Sequence, residues 1–289
     1  MTTRLLAATA LATVLAGTAF AQSSVTIGMQ LEPPNLDPTG GAAAAIDEVT
    51  YANIFEGLTR FGADGSIKPA LASAWEISDD GLTYTFTLQP DVAFHDGTSF
   101  EATDVVFSLD RARADDSTNA QKALFADIAS VVATDPATVT VTLSKPNGSF
   151  LFNLAWGDAV MVAPESAATN ATQPIGTGPF TFTNWVEGDS ITISRNPAYW
   201  GQPVALSEAI FKFISDPTAA FAAMMAEDID AFPTFPAPEN LPQFDADPRF
   251  TVIVGSTEGE TILSTNNKMP PFDNVQVRHR ELKRIADEK

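Results

Sequence analysis

The chain has 289 residues, 45% hydrophobic and 18% charged, which suits one large or two ordinary folded domains and is too apolar for a disordered chain. Its net charge of −20 lacks the basic footprint that a nucleic-acid backbone or an anionic lipid surface demands. The absence of cysteine excludes disulfides, thiolate nucleophiles, Cys-based zinc sites and iron–sulfur clusters.

Residues 1–21 read as a secretory signal peptide. Arg4 supplies the positive start, residues 5–17 an Ala/Leu-rich apolar run, and Ala19-Phe20-Ala21 a small-residue cleavage site. The run is shorter than the ~20 residues of a membrane span. Leu15-Ala16-Gly17 is followed by Thr18, so no thiol is present for lipidation. Cleavage would leave Gln22 first, and the mature chain is expected in the periplasm, unlipidated.

Residues 25–29 predict a strand and the Pro/Gly-rich residues 31–41 a loop. Residues 46–58 predict a helix ending near Gly57. Leu82 to Leu88 alternates apolar residues with threonine, the pattern of a half-buried strand, between turns at Asp79-Asp80-Gly81 and Asp96-Gly97. Thr103 or Asp104 predicts a helix cap, with Val106, Leu109 and Arg113 on one face. Residues 138–143 predict a strand with Val139, Val141 and Leu143 inward. Phe180/Phe182 and Ile191/Ile193 suggest two more. Asp216-Pro217 is a strong helix start, followed by an apolar face of Phe221, Met224 and Met225. Residues 251–254 predict a strand and 275–289 a helix. Six of the 16 bases fall in residues 268–289, where an exposed helix face explains them most simply. The chain is therefore of mixed α/β class.

Nothing in this pattern builds an enzyme site. Gly176-Thr177-Gly178-Pro179 lacks the Gly-Lys-Ser/Thr ending of a phosphate loop, and Pro179 removes a needed N–H. Asp79/Asp80 and Asp115/Asp116 are adjacent acids of the kind found on solvated turns. His95 precedes a turn, where bonding to its neighbours is the plain reading and metal ligation the sharper one; no metal or other cofactor is expected. No catalytic residue is assigned.

Four ordered segments together carry a resemblance. They are Leu36-Asp37-Pro38 with Ile54-Phe55-Glu56-Gly57-Leu58; Pro69-Ala70-Leu71-Ala72 and Trp75 through Tyr84 and Phe86 to Phe94-His95-Asp96-Gly97-Thr98; Gly176-Thr177-Gly178-Pro179-Phe180 and Trp185 with Asn196-Pro197-Ala198-Tyr199-Trp200-Gly201; and Asn266-Asn267-Lys268 with Pro271-Phe272-Asp273-Asn274-Val275. In this order they resemble the peptide/nickel-binding family of extracytoplasmic solute-binding proteins that serve ABC importers. Gly57, Gly81 and Gly97 suit turns with positive φ, and Trp75, Trp185 and Trp200 read as packing anchors.

The resemblance implies a type II periplasmic binding protein fold: lobe one with an inserted smaller domain, and most of lobe two missing. The implied division is a main domain from residues 22–55 and 172–255, an insert over 56–171, and a crossing strand with the start of lobe two over 256–289. In such proteins the far end of the chain returns to complete the main domain, so an uncovered apolar face is expected here. Glu227 stands where the family favours glycine, which predicts a longer preceding helix.

The implied function is capture of a peptide or other small solute, as a monomer, for ABC permease subunits of the inner membrane; the chain alone is expected to bind weakly. The implied solute-binding residues are Gly40, Gly41 and Asp47 in a small-residue loop, Trp156 and Asp158 as an aromatic beside a carboxylate, and Phe232, Thr234 and Phe235 as a possible groove wall. Trp156 could equally be core packing. A secreted carbohydrate-active hydrolase using an acid pair, or a non-functional product of a truncated gene, are the alternative readings.

Overall fold

The computed structural model describes residues 23–255 and 265–287. The signal-peptide expectation therefore lies outside the described residues. The chain divides into two compact units, one up to Pro238 and one from Glu239 onward.

The first unit runs β1 (Ser24–Met29), α1 (Ala44–Thr50), β2 (Thr59–Phe61), β3 (Ile67–Pro69), β4 (Ala72–Ile77), β5 (Thr83–Leu88), α2 (Ala102–Arg113), β6 (Ile128–Asp135), β7 (Thr138–Leu143), α3 (Phe150–Asn153), β8 (Phe180–Val186), β9 (Ser190–Arg195), β10 (Glu208–Phe213) and α4 (Pro217–Met225). Two four-stranded sheets dominate it, ordered β4-β5-β7-β6 and β1-β10-β9-β8.

The first sheet is antiparallel throughout. Its alternation is the one read from residues 82–88 and 138–143: Tyr84, Phe86, Leu88, Val139, Val141 and Leu143 are all buried. The face they form packs with Val105 and Leu109 of α2, and with Phe125 and Phe150, in the larger of two cores. The second sheet pairs β1 and β10 in parallel, with Ile27 opposite Phe211. Asp230 and Ala231 flank the outer edge of β1. The Asp230 Oδ2 accepts the Thr26 N–H at 2.7 Å, and the Ala231 carbonyl accepts the Gly28 N–H at 2.8 Å. The smaller core joins Met29, Ile191, Ile193 and Phe211 to Ala45 and Val49 of α1 and to Phe55.

The chain crosses between the cores at one junction. Phe55 belongs to the smaller core and Leu58 to the larger; Ile175 packs on the larger and Phe180 belongs to the smaller. These crossings lie side by side: Gly178 N–H donates to Ile54 O and Phe180 N–H to Asn53 O, both at 2.9 Å. A methyl group on Gly176 would come within 1.9 Å of Ile54 O, so only glycine permits this approach. At the same place Glu56 accepts hydrogen bonds from Thr177 Oγ1 (2.9 Å), Tyr199 OH (2.8 Å) and Trp200 Nε1 (2.9 Å). The first and third of the sequence segments quoted above thus meet on one half-buried carboxylate, and Trp200 is an anchor with a polar duty. Trp185 likewise donates from Nε1 to Glu32, at 2.8 Å.

Several expectations need correction. The first helix stops at Thr50 rather than running to residue 58, because Ala52 takes φ 58° and Asn53 to Phe55 serve the crossing. Gly57 has no positive φ; it is needed because a side chain there would meet Leu154 O at 2.9 Å. The N-cap of α2 is Glu101, and Asp104 closes a capping box from the third helical position, accepting from Glu101 N–H at 2.8 Å. The buried face of α2 carries Val105, Leu109 and Ala112; Val106 packs against the same core only partly buried, and Arg113 points to Asp110 and Ile128 O. Asp216 does cap α4, accepting from Ala219 N–H, but only Ala220 of that helix is buried. The helix is not prolonged past Met225; Glu227 itself takes φ 62°, the left-handed conformation a glycine would adopt freely. Residues 251–254 form no strand: Ile253 and Val254 are 88% and 80% exposed, and among the described residues no strand pairs with them.

The second unit contains α5 (Leu241–Asp245) and α6 (Val275–Asp287). Phe244 is buried edge-on against Phe250, with centroids 5.1 Å apart. Asn274 caps α6 by accepting the Gln276 N–H at 2.8 Å.

Candidate functional site

The C-terminal end of β1, the start of α1 and residues 232–234 surround a cavity of about 690 Å³. That volume lies within the ~300–1,000 Å³ of small-molecule sites, and strand C-termini are where open α/β sheets place ligands. Its floor is apolar, formed by Val25, Ile27, Leu206 and Phe211 of the second sheet and its approach. Its polar groups are mostly engaged. Gln30 Nε2 donates to Thr234 O at 2.6 Å, and Glu32 Oε1 accepts from Trp185 Nε1 and Gly188 N–H. Glu48 is exposed at the rim.

Of the residues read from the sequence, Phe232 and Thr234 line this cavity. The Phe232 ring lies against Gly28, where a methyl group would be 2.3 Å from it. Phe235 stands perpendicular to Phe232, centroids 5.6 Å apart, and does not itself line the cavity. Gln30, Leu31 and Glu32 were not anticipated; a strand running into a proline-rich loop at a sheet's C-terminal edge was the signal available.

Asp47 is also on α1, but it faces the other way. Its carboxylate lies against Gly157, where a methyl group would approach Oδ1 to 2.5 Å. This joins Asp47 to Trp156 and Asp158. Asp158 is 7% exposed, and its carbonyl is held by Asn119 Nδ2 at 2.8 Å. Asp47 Oδ1 is buried without a hydrogen-bond partner. Burial first, and the negative Asp158 second, raise the Asp47 carboxyl to about 6. Burial also raises Asp158. Tyr51 OH, donating to Ala155 O at 2.5 Å, ties α1 to the same loop.

Trp156 is 41% exposed, so it is a surface ring rather than core packing. It forms an edge-to-face triangle with Phe61 and Phe152, at 6.3 and 6.1 Å. Trp156 and Asp158 flank Gly157, so the exposed ring and the acid pair belong to one loop. Gly40 and Gly41 join neither group. Their loop is pinned by buried Asp37, which accepts from Thr39 N–H, Thr39 Oγ1 and Arg111 Nη2, the last at 2.8 Å; Arg111 Nη1 also reaches Thr39 Oγ1. A side chain at Gly41 would meet Ile46 Cδ1 at 2.8 Å, so the space over it is already filled. Among the described residues no three His, Asp or Glu side chains group as metal ligands, and no helix is long and apolar enough to cross a membrane.

The family model described as bacterial extracellular solute-binding proteins, family 5 Middle, matches residues 66–279. The glutathione-binding protein GsiB of Pectobacterium atrosepticum is 31% identical over 280 residues, covering 95% of this chain and 54% of that protein. The structure of NikZ from Campylobacter jejuni, in complex with Ni(L-His), superposes with a TM-score of 0.70 at 31% identity, over 79% of this chain and 46% of its own. The periplasmic binding protein DppA from Helicobacter pylori, in complex with the peptide STSA, gives 0.71 at 26% identity, over 78% and 49%. The fold is thus that of the type II periplasmic binding proteins, and the chain spans about half the length of the relatives it matches.

Proposed function

The chain belongs to family 5 of the bacterial extracellular solute-binding proteins, and from that membership we propose that it captures a small solute, most simply a peptide, in the periplasm for import through an ABC permease. The observation that carries the reading is the match over residues 66–279 joined to a site of the right kind. That site pairs an aromatic surface ring, Trp156, with the acid pair Asp47 and Asp158, and sets α1 between them and the cavity rim at Thr234. An acid pair and an aromatic ring on one loop suit a solute with a cationic end, such as a peptide amino group.

In the same reading, residues 22–55 and 172–255 form the main domain of lobe one, 56–171 the insert, and 256–289 the passage into lobe two. The two cores meeting at Glu56 and Gly176 support this division. Export by cleavage after Ala21, an unlipidated monomeric product and the absence of any catalytic step belong to the same proposal.

A chimera continuing this chain with the second half of the Pectobacterium relative tests it. Calorimetric titration with di- to pentapeptides and glutathione should reveal saturable binding. A folded chimera that binds none of them would refute the peptide-capture reading.

A further inference from the structure

We propose that His95 is an acid-released clasp: its neutral ring holds the segment 176–178 in place, and protonation frees that segment and loosens the junction between the two cores.

The ring makes two bonds of opposite sense to one stretch of backbone. Nδ1 accepts the Gly176 N–H at 3.3 Å, and Nε2 lies 3.0 Å from Gly178 O. A carbonyl only accepts, so Nε2 carries the proton and Nδ1 the lone pair. A third bond runs from the His95 main-chain N–H to Gly176 O at 2.9 Å. An imidazolium donates from both nitrogens, so it would set N–H against N–H at Gly176. The geometry therefore admits only the neutral ring.

The charged groups around it do not rescue the cation. Asp96, on the same turn, favours it, but its Oδ1 is occupied by Thr98 N–H and Oγ1. Glu56, on the adjacent crossing, is engaged by Thr177, Tyr199 and Trp200. Residues 176–178 carry no charge, and Asn196, which shares Gly178 O, is neutral. Burial accordingly holds the ring below the ordinary histidine value of 6.5. The stabilisation is present above that value and is lost as pH falls through the lowered one.

The segment matters because Gly178 and Phe180 bind the crossing 53–54, and Phe180 also lines the cavity. Imidazole ¹⁵N spectra of the full chain, assigned against His279→Gln, give the tautomer and the titration. Hydrogen exchange at Gly176, corrected for the intrinsic pH dependence, gives the release. The expected result is an Nε2–H tautomer at pH 7.5 and at least about a tenfold loss of Gly176 protection in step with ring protonation. An Nδ1–H tautomer, or protection unmoved by the titration, would overturn the proposal. If the whole chain unfolds as the ring charges, His95→Gln decides. Glutamine keeps a donor for Gly178 and cannot charge, so the acid transition should move to lower pH; a transition at the unchanged pH refutes the clasp.

Discussion

Asp47 presses its carboxylate on the bare Cα of Gly157, one residue from the buried Asp158. The two acids thus lie close enough to repel, and one Asp47 oxygen is buried with no partner. Because the Asp47 value is raised from 3.8 to about 6, its contribution to stability is complete below about pH 4 and is lost as pH rises through 6. Asp47→Asn should therefore raise stability at pH 7.5 by about 1 kcal/mol, a figure discounted for partial solvent screening, with the gain gone at pH 4. Thermal unfolding at both pH values checks it; an equal effect at each would contradict the coupling.

Glu56 gathers three donors from two distant segments. Glu56→Ala would orphan all of them and should cost about 2–4 kcal/mol in denaturant unfolding. A loss below about 0.5 kcal/mol would mean that water replaces the carboxylate at no cost.

Glu227 occupies a left-handed backbone conformation with φ 62°. Glu227→Gly should stabilise the chain by about 0.5–1 kcal/mol, since the relieved strain outweighs the added freedom of the unfolded chain. A destabilised variant would show that the glutamate side chain contributes more than its backbone strain removes.

At Gly176 the crossing leaves no room for a Cβ. Gly176→Ala should cost about 3 kcal/mol or prevent folding, whereas Gly188→Ala, where nothing lies near the added methyl, should cost only its positive-φ strain of about 1 kcal/mol. Equal losses in the two variants would contradict the close approach.

The strands with clean alternation were legible in the sequence, as β5 and β7 show, because a period of two follows directly from one buried face. So were the Asp216 cap and the turn at Gly81, which are local chemistry. The early end of α1 was not, because Asn53 to Phe55 look helical alone and are diverted by a partner more than 120 residues away. The pairing of Asp47 with Asp158 was hidden for the same reason: each was legible as an acid near a loop, but only folding brings α1 against Gly157. The burden on His95 was also illegible, since its partners lie 81 and 83 residues downstream.

The central claim is that the acid–aromatic face and the cavity rim touch solute. Amide and indole NMR shifts of the full chain, followed during titration with a tetrapeptide to ~10 mM, test this most directly, since even a dissociation constant of ~1 mM would then be visible. The account predicts saturable shifts at the Trp156 indole N–H, at the Asp47 and Asp158 amides and at Thr234, and their loss on capping the peptide's amino group. Shifts confined to other residues, or none at that concentration, would contradict it.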